Sequence, residues 1–416
     1  MRLRTRLAAA LATVALCACA VPAAPLAPRL AAPLPSASPP EPSPAPAPLP
    51  ATSSAEPDTA PRIELPLFRR FPALKSSLPR VPLDPLFTPV SSLDALAARL
   101  GLAALLVKRD DRLGDPFGGS KVRKLEFLFG EAQAQHRTSV VTFGGLASNH
   151  ALASALYARA QGLHAVLLLL PEPPTARARE NLLALRSLGA ELHLVGNDRI
   201  DATLARKAAR ARDPQAPFVI EPGGTSPLGC VGYVNAAFEL QQQIEEGQLP
   251  RPDVLFVAAG TGGTTVGLLV GLAASGLSIP VRAVRVASTR YVNLARLRKL
   301  FDATCALLRE RDPSFPQLRF DDVPFEVVQG QAGAGYALPT RAGQDAVKLV
   351  GEASGIQLDT TYTGKAMAAL LAQAPTWQGR RVLFWNTYDP RRLPLDGVSP
   401  SDLPPEFRGF FPSANR

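Results

Sequence analysis

Strands and helices alternate along this chain from about residue 66, and that alternation predicts an α/β protein whose parallel sheets are covered by helices on both faces. Two further observations support the class. Candidate strands such as 164–170 and 253–259 are short, continuous apolar runs, the pattern of strands buried on both faces. At 416 residues the chain exceeds one ordinary core, so two domains are expected.

The first 65 residues precede that pattern. Arg2, Arg4 and Arg6 form a basic n-region, Leu7 to Leu16 an apolar h-region, and small residues come next, so residues 1–19 read as a signal segment. Leu16-Cys17-Ala18-Cys19 resembles the bacterial lipobox, with Cys19 as the lipidated residue; the alternative is an ordinary secretory peptide cut after an Ala nearby. A transmembrane helix is disfavoured, because the apolar run is short and Pro22 follows it. Residues 22–61 hold 14 of the 42 prolines. Dominated by Pro, Ala and Ser and unable to bury enough apolar area to offset the entropy of ordering, the stretch 20–65 is expected to be a disordered tether reaching on the order of 120 Å in polyproline II geometry. Together these features place an exported protein on a lipid anchor, facing the periplasm or the cell exterior.

Beyond the tether the periodicity predicts strand 103–108, helix 121–136, strand 139–143, helix 149–161, strand 164–170, helix 175–188, strand 191–195, helix 201–212 and strand 217–220. The alternation resumes with helix 229–246, strand 253–259, helix 264–275, strand 280–286 and helix 291–309. After a less regular stretch come helices 340–354 and 364–373 and strand 380–385. The net charge of +10 comes from Arg residues spread along the chain, so it points to compositional bias rather than to nucleic-acid binding. Cys230 and Cys305 are open to pairing in an oxidising compartment or to standing as single buried thiols.

In parallel sheets ligands bind beyond the carboxyl ends of strands, where helices begin. Residues 117–126, Phe-Gly-Gly-Ser-Lys-Val-Arg-Lys-Leu-Glu, occupy such a junction. The Gly pair allows a tight turn, Ser120 can cap the next helix, and Lys121 opens that helix, which reads as amphipathic. A cation in a first helical turn is disfavoured by the macrodipole, which suits an amine that must lose its proton and attack a carbonyl; a solvated first turn is the plainer alternative. Lysine is scarce here, eight among 45 basic residues, yet Lys121 and Lys124 both fall in this helix start. Gly144 to His150 and Gly223-Gly224-Thr225-Ser226 lie at similar junctions. Gly260-Thr261-Gly262-Gly263-Thr264-Thr265 is the best phosphate cradle, combining close backbone approach, hydroxyl donors and a helix N-terminus. No acidic residue closes the following strand, which argues against NAD, and a small phosphorylated cofactor fits better than a plain turn.

Gly-Gly-Ser-Lys-Val-Arg-Lys-Leu-Glu, Ser148-Asn149-His150, the 260–265 loop and Tyr362-Thr363-Gly364-Lys365 together resemble the pyridoxal-phosphate enzymes of the ACC deaminase/D-cysteine desulfhydrase family, over roughly residues 66–385. The resemblance implies a tryptophan-synthase-β-like fold (fold type II) of two three-layer αβα domains. The larger, cofactor-binding one would comprise 66–123 and 226–395 and the smaller 124–225, with 396–416 as a tail. It makes Lys121 the Schiff-base lysine, and Thr261, Gly262, Gly263, Thr264 and Thr265 the phosphate loop, helped by Lys124. Asn149 would bond the cofactor's phenolic oxygen, and Thr363 would face the ring nitrogen. Ser148 would be the catalytic hydroxyl, assisted by Tyr336 and Tyr362. The plainer alternatives are a helix cap for Ser148 and Asn149 and satisfied core tyrosines.

Position 363 separates the branches of the family: ACC deaminases resemble one another in carrying Glu there, whereas Thr363 matches the D-cysteine desulfhydrases, as does His150. The implied reaction is β-elimination from D-cysteine or a related small amino acid, giving pyruvate, ammonia and sulfide. The alternatives are ACC deamination to 2-oxobutanoate and ammonia, or a decayed scaffold serving as an exported binding lipoprotein. A homodimer and no resident metal are also implied. Two departures stand out: the family's Gly-rich loop after its last strand is here Asn386-Thr387-Tyr388-Asp389-Pro390, and Ala147 and Ala151 replace larger or more polar residues.

Overall fold

The computed structural model describes residues 64–84, 87–196, 216–395 and 397–412. The signal segment with Cys19, most of the tether and the helix expected at 201–212 lie outside them.

The described chain is α/β with two sheets. The first contains β1 (Val90–Ser92), β2 (Ala104–Arg109), β7 (Val254–Ala259), β8 (Val281–Arg285), β9 (Phe325–Val328) and β10 (Arg381–Asn386), in the order β1-β2-β10-β7-β8-β9. Only β1 runs antiparallel, pairing Val90 with Lys108. The last strand is inserted mid-sheet: Val382 pairs with Leu105 on one side and with Val254 on the other. The second sheet is wholly parallel, β5 (Glu191–Leu194), β4 (His164–Leu170), β3 (Ser139–Gly145), β6 (Phe218–Ile220). The central strands β4, β7 and β10 are almost wholly buried, as their apolar runs require. Edge strands β1 and β9 escape a reading of the sequence because they are short and half-exposed, so neither carries a continuous apolar run.

Among the described residues twelve α-helices flank these sheets: α1 (Pro66–Arg70), α2 (Ala73–Ser77), α3 (Asp94–Leu100), α4 (Lys121–Ala134), α5 (Asn149–Ala160), α6 (Ala176–Ser187), α7 (Pro227–Glu245), α8 (Gly263–Ala274), α9 (Leu294–Arg311), α10 (Arg341–Ser354), α11 (Thr363–Gln373) and α12 (Pro405–Arg408). Short α1 and α2 hold because they bury Phe68 and Leu74, with Phe71 between them packed edge-on to Phe238 at 5.9 Å.

Helix α4 departs from expectation. Ten of its 14 residues are buried, so it is a core helix between α5 and α7 rather than an amphipathic one. Its polar residues are tolerated there because they are paired: Glu126 takes both Arg80 nitrogens at 2.9 Å, and Arg123 meets Asp110 and Glu239 at 2.8 and 2.7 Å. Cys230 and Cys305 are buried free thiols, which settles the open pairing. Among the described residues no helix is long and apolar enough to cross a membrane.

Candidate active site

One cavity of about 640 Å³ collects the segments that leave the carboxyl ends of the strands in both sheets. The six-stranded sheet sends in the Lys121 turn after β2, the 260–265 loop after β7, and residues beyond β8, β9 and β10. The four-stranded sheet contributes Gly144 and Gly145 at the end of β3, Ser148 to His150 beyond it, Glu172 after β4 and Gly223 after β6.

The Lys121 turn is pinned by the loop whose bulk departs from the family pattern. Gly118 N–H donates to Asp389 Oδ2 at 2.9 Å, and the Asp389 carboxylate is itself held by Arg391. Gly119 adopts φ +57°, and a Cβ there would stand 3.0 Å from the Thr387 carbonyl. Ser120 does not cap α4: its own backbone is already helical, and its Oγ accepts from Lys121 Nζ at 3.0 Å. Among the described residues no carboxylate lies within ion-pair distance of that amine. Burial lowers its pKa to about 8, against the opposing pull of Asp359. Lys124, one turn on, is pushed to about 7 by burial and then by the charge of Lys121; its Nζ donates to the Gly223 carbonyl at 3.1 Å.

Facing these amines, Gly262 takes φ +91° at the start of α8. A Cβ on Gly263 would come within 2.9 Å of Lys124 Nζ and of Thr225 Oγ1. Thr225 and Thr261 share a 2.6 Å hydroxyl contact, while Thr265 Oγ1 is buried with no partner. An orphaned hydroxyl, free N–H groups at a helix start and a lysine without a counter-charge form an incomplete polar site that a phosphate monoester completes. Lys121 and the Thr-rich loop therefore open on one space.

On the opposite wall Ser148 is the N-cap of α5, its Oγ accepting from Ala151 N–H at 3.2 Å, so the capping role applies to it as well as any catalytic one. Asn149 and His150 line the cavity. Thr142 donates to the Ile220 carbonyl at 2.8 Å, so its hydroxyl accepts from His150 Nε2–H at 2.9 Å and leaves Nδ1 bare. Burial and then the two lysines hold this imidazole neutral, well below its usual pKa. Tyr336 and Tyr362 meet hydroxyl to hydroxyl at 2.5 Å, with both phenols pushed upward by burial. Tyr336 sits at the mouth, 40% exposed.

Thr363 is not brought to the cavity wall. Its hydroxyl donates to Asp359 Oδ1 at 2.6 Å and accepts the Asp359 N–H at 2.8 Å. Asp359 lines the cavity instead and caps α11, accepting from the N–H groups of Thr361, Tyr362 and Thr363. An acidic residue four positions ahead of a helix start was the available signal for it. Tyr388 also lines the cavity, and Thr225, from a Gly-rich junction already singled out, supports it from behind through the Thr261 hydroxyl.

The family model of the pyridoxal-phosphate dependent enzymes matches residues 82–387. The chain is 34% identical to the mitochondrial bifunctional D-cysteine desulfhydrase/1-aminocyclopropane-1-carboxylate deaminase of Arabidopsis thaliana, over 68% of this chain and 71% of that protein. It is 35% identical to the D-cysteine desulfhydrase of Salmonella paratyphi B, over 70% and 88%. A solved structure described as an ACC deaminase homologue superimposes with a TM-score of 0.66 at 29% identity, covering 78% of this chain and 95% of that one.

Proposed function

The chain belongs to the pyridoxal-phosphate dependent enzymes, and on that premise we propose that it is a lyase of small amino acids, eliminating the β-substituent of D-cysteine to give pyruvate, ammonia and sulfide. The observation that carries this reading is the convergence of the Lys121 amine and the Thr-rich 261–265 loop on one cavity, with the Lys124 amine at that loop.

Lys121 would hold the cofactor's aldehyde carbon, and Lys124, Thr261, Thr264, Thr265 and the start of α8 its phosphate. Bound pyridoxal phosphate supplies an electron sink that acidifies the substrate Cα–H. The protein's part is positioning and proton transfer. With a pKa near 8, Lys121 Nζ is partly unprotonated at neutral pH and can take the Cα proton once released. Ser148 and the Tyr336–Tyr362 pair line the same cavity and would deliver a second proton, with the tyrosines kept neutral by burial. Thr363, whose proton is committed to Asp359, offers the ring no acidic partner. A weak sink suits expulsion of a good leaving group such as thiolate better than opening of a cyclopropane. The 386–390 loop anchors the lysine turn, which supports the reading of an intact site over that of a decayed scaffold.

The test is a D/L amino-acid panel assayed for keto-acid and sulfide release by cofactor-loaded protein. Pyruvate and sulfide from D-cysteine are expected; 2-oxobutanoate from 1-aminocyclopropane-1-carboxylate with no sulfide from D-cysteine would move the chain to the other activity named for the Arabidopsis relative. We further propose a homodimer, checked by light scattering, and lipidation at Cys19, which Cys19→Ser should abolish together with membrane association.

A further inference from the structure

Asn149 offers the cavity an amide whose two ends are chemically opposite, and a residue outside the cavity decides which end is presented. A guanidinium can only donate. Arg177 Nη2 lies 3.0 Å from the Asn149 side-chain oxygen, so Oδ1 is turned towards α6 and Nδ2 is the end left to the cavity that Asn149 lines. Among the described residues Nδ2 makes no hydrogen bond.

Arg177 is oddly placed for any purely structural purpose. It occupies the second position of α6, where the helix dipole disfavours a cation. Its Nε is buried without a partner, and no carboxylate lies within ion-pair distance of it among the described residues. What holds it is the face of Phe117, 5.7 Å away, and the amide of Asn149. Burial, then the charge of Arg392, lowers its pKa, so the site keeps this guanidinium at some expense in solvation. An amide polarised from behind by a cation is a stronger donor to an anionic oxygen.

We propose that Arg177 is a positioning residue that fixes Asn149 as a donor to an anionic oxygen of the bound ligand, in the cofactor reading the phenolic oxygen, and favours that oxygen's ionised form. The inference rests on the cofactor reading of the Lys121 cavity and extends it to a side chain that touches neither cofactor nor substrate.

The experiment is a double-mutant cycle read by binding rather than turnover. Dissociation constants for pyridoxal 5′-phosphate and for its 3-O-methyl ether, whose oxygen cannot ionise, are measured on apo-protein of the wild type, Asn149→Ala, Arg177→Met and the double variant. Arg177→Met should weaken pyridoxal phosphate about tenfold, the double variant should lose no more than Asn149→Ala alone, and the ether should bind wild type and Arg177→Met alike. The visible band of loaded Arg177→Met should move to shorter wavelength as the oxygen takes up a proton. If Arg177→Met melts below working temperature, Arg177→Gln, which keeps a donor without the charge, should bind the cofactor with an intermediate constant. Cofactor affinity within twofold of wild type in these variants, or strictly additive losses, overturns the proposal while leaving the cofactor reading intact. A wild-type chain that takes up no cofactor overturns both.

Discussion

Helix α4 carries two kinds of buried cation within four residues, and they behave oppositely. On one side Arg123 meets Asp110 and Glu239, in a cluster completed by Lys108, Thr88, Tyr233 and Trp385. Burial alone would raise Glu239, but Arg123 and Lys108 outweigh it and bring its pKa to about 2, and Arg123 is held protonated well above its ordinary value. On the other side Lys121 and Lys124 face the cavity with no carboxylate within ion-pair distance among the described residues, and burial draws them down to about 8 and 7. Desolvation is common to both sides; two carboxylates outweigh it at Arg123 and none does at Lys121 or Lys124, while Lys108, paired with Glu239, is still drawn below its ordinary pKa by burial. The paired side also anchors the helix that presents the unpaired one.

The most severe break in that contrast is Lys121→Ala. Turnover should fall by about 10⁴-fold or more and the visible band of bound cofactor should vanish, while thermal melting stays near wild type. Glu239→Gln attacks the opposite side, leaving Arg123 and Lys108 short of a counter-charge. A loss of about 3–5 kcal/mol is expected from urea unfolding, with residual activity following the folded fraction. Lys124→Met should spare the fold and weaken pyridoxal phosphate roughly 10–100-fold by loss of a charge-assisted contact, measured by equilibrium dialysis; unchanged affinity would remove Lys124 from the phosphate site. The finest test is pH. Cofactor uptake by apo-protein requires the neutral amine, so its rate should climb through about pH 8 and level off above it. Because the Asp359 charge raises the Lys121 pKa, Asp359→Asn should move that midpoint downward; an unchanged midpoint would mean that Asp359 acts only as a cap.

Much of the site was legible because its chemistry is local. Gly262, Gly263 and their threonines announce an anion cradle in six consecutive residues, and Lys121 declares itself by standing where a helix repels cations. Thr363 shows where such reasoning stops. Motif position does not state that its hydroxyl is held by Asp359, four residues upstream, which itself lines the cavity. Nothing in the spacing of Thr142 and His150 states which ring nitrogen carries the proton, since that depends on a bond to Ile220 across the sheet.

Edge strands and the shortest helices apart, the alternation of strands and helices, the parallel class of the sheets and the Gly-rich junctions were determined by the amino-acid sequence alone, because periodicity, turn chemistry and residue type act between near neighbours. Tertiary structure alone decided that β10 lies between β2 and β7, that residues 387–389 grip the lysine turn, and that Arg177 aims the amide of Asn149. Each of these is a contact between segments distant in the chain. Its energy depends on burial and on the partner found there, and neither exists until the chain has folded.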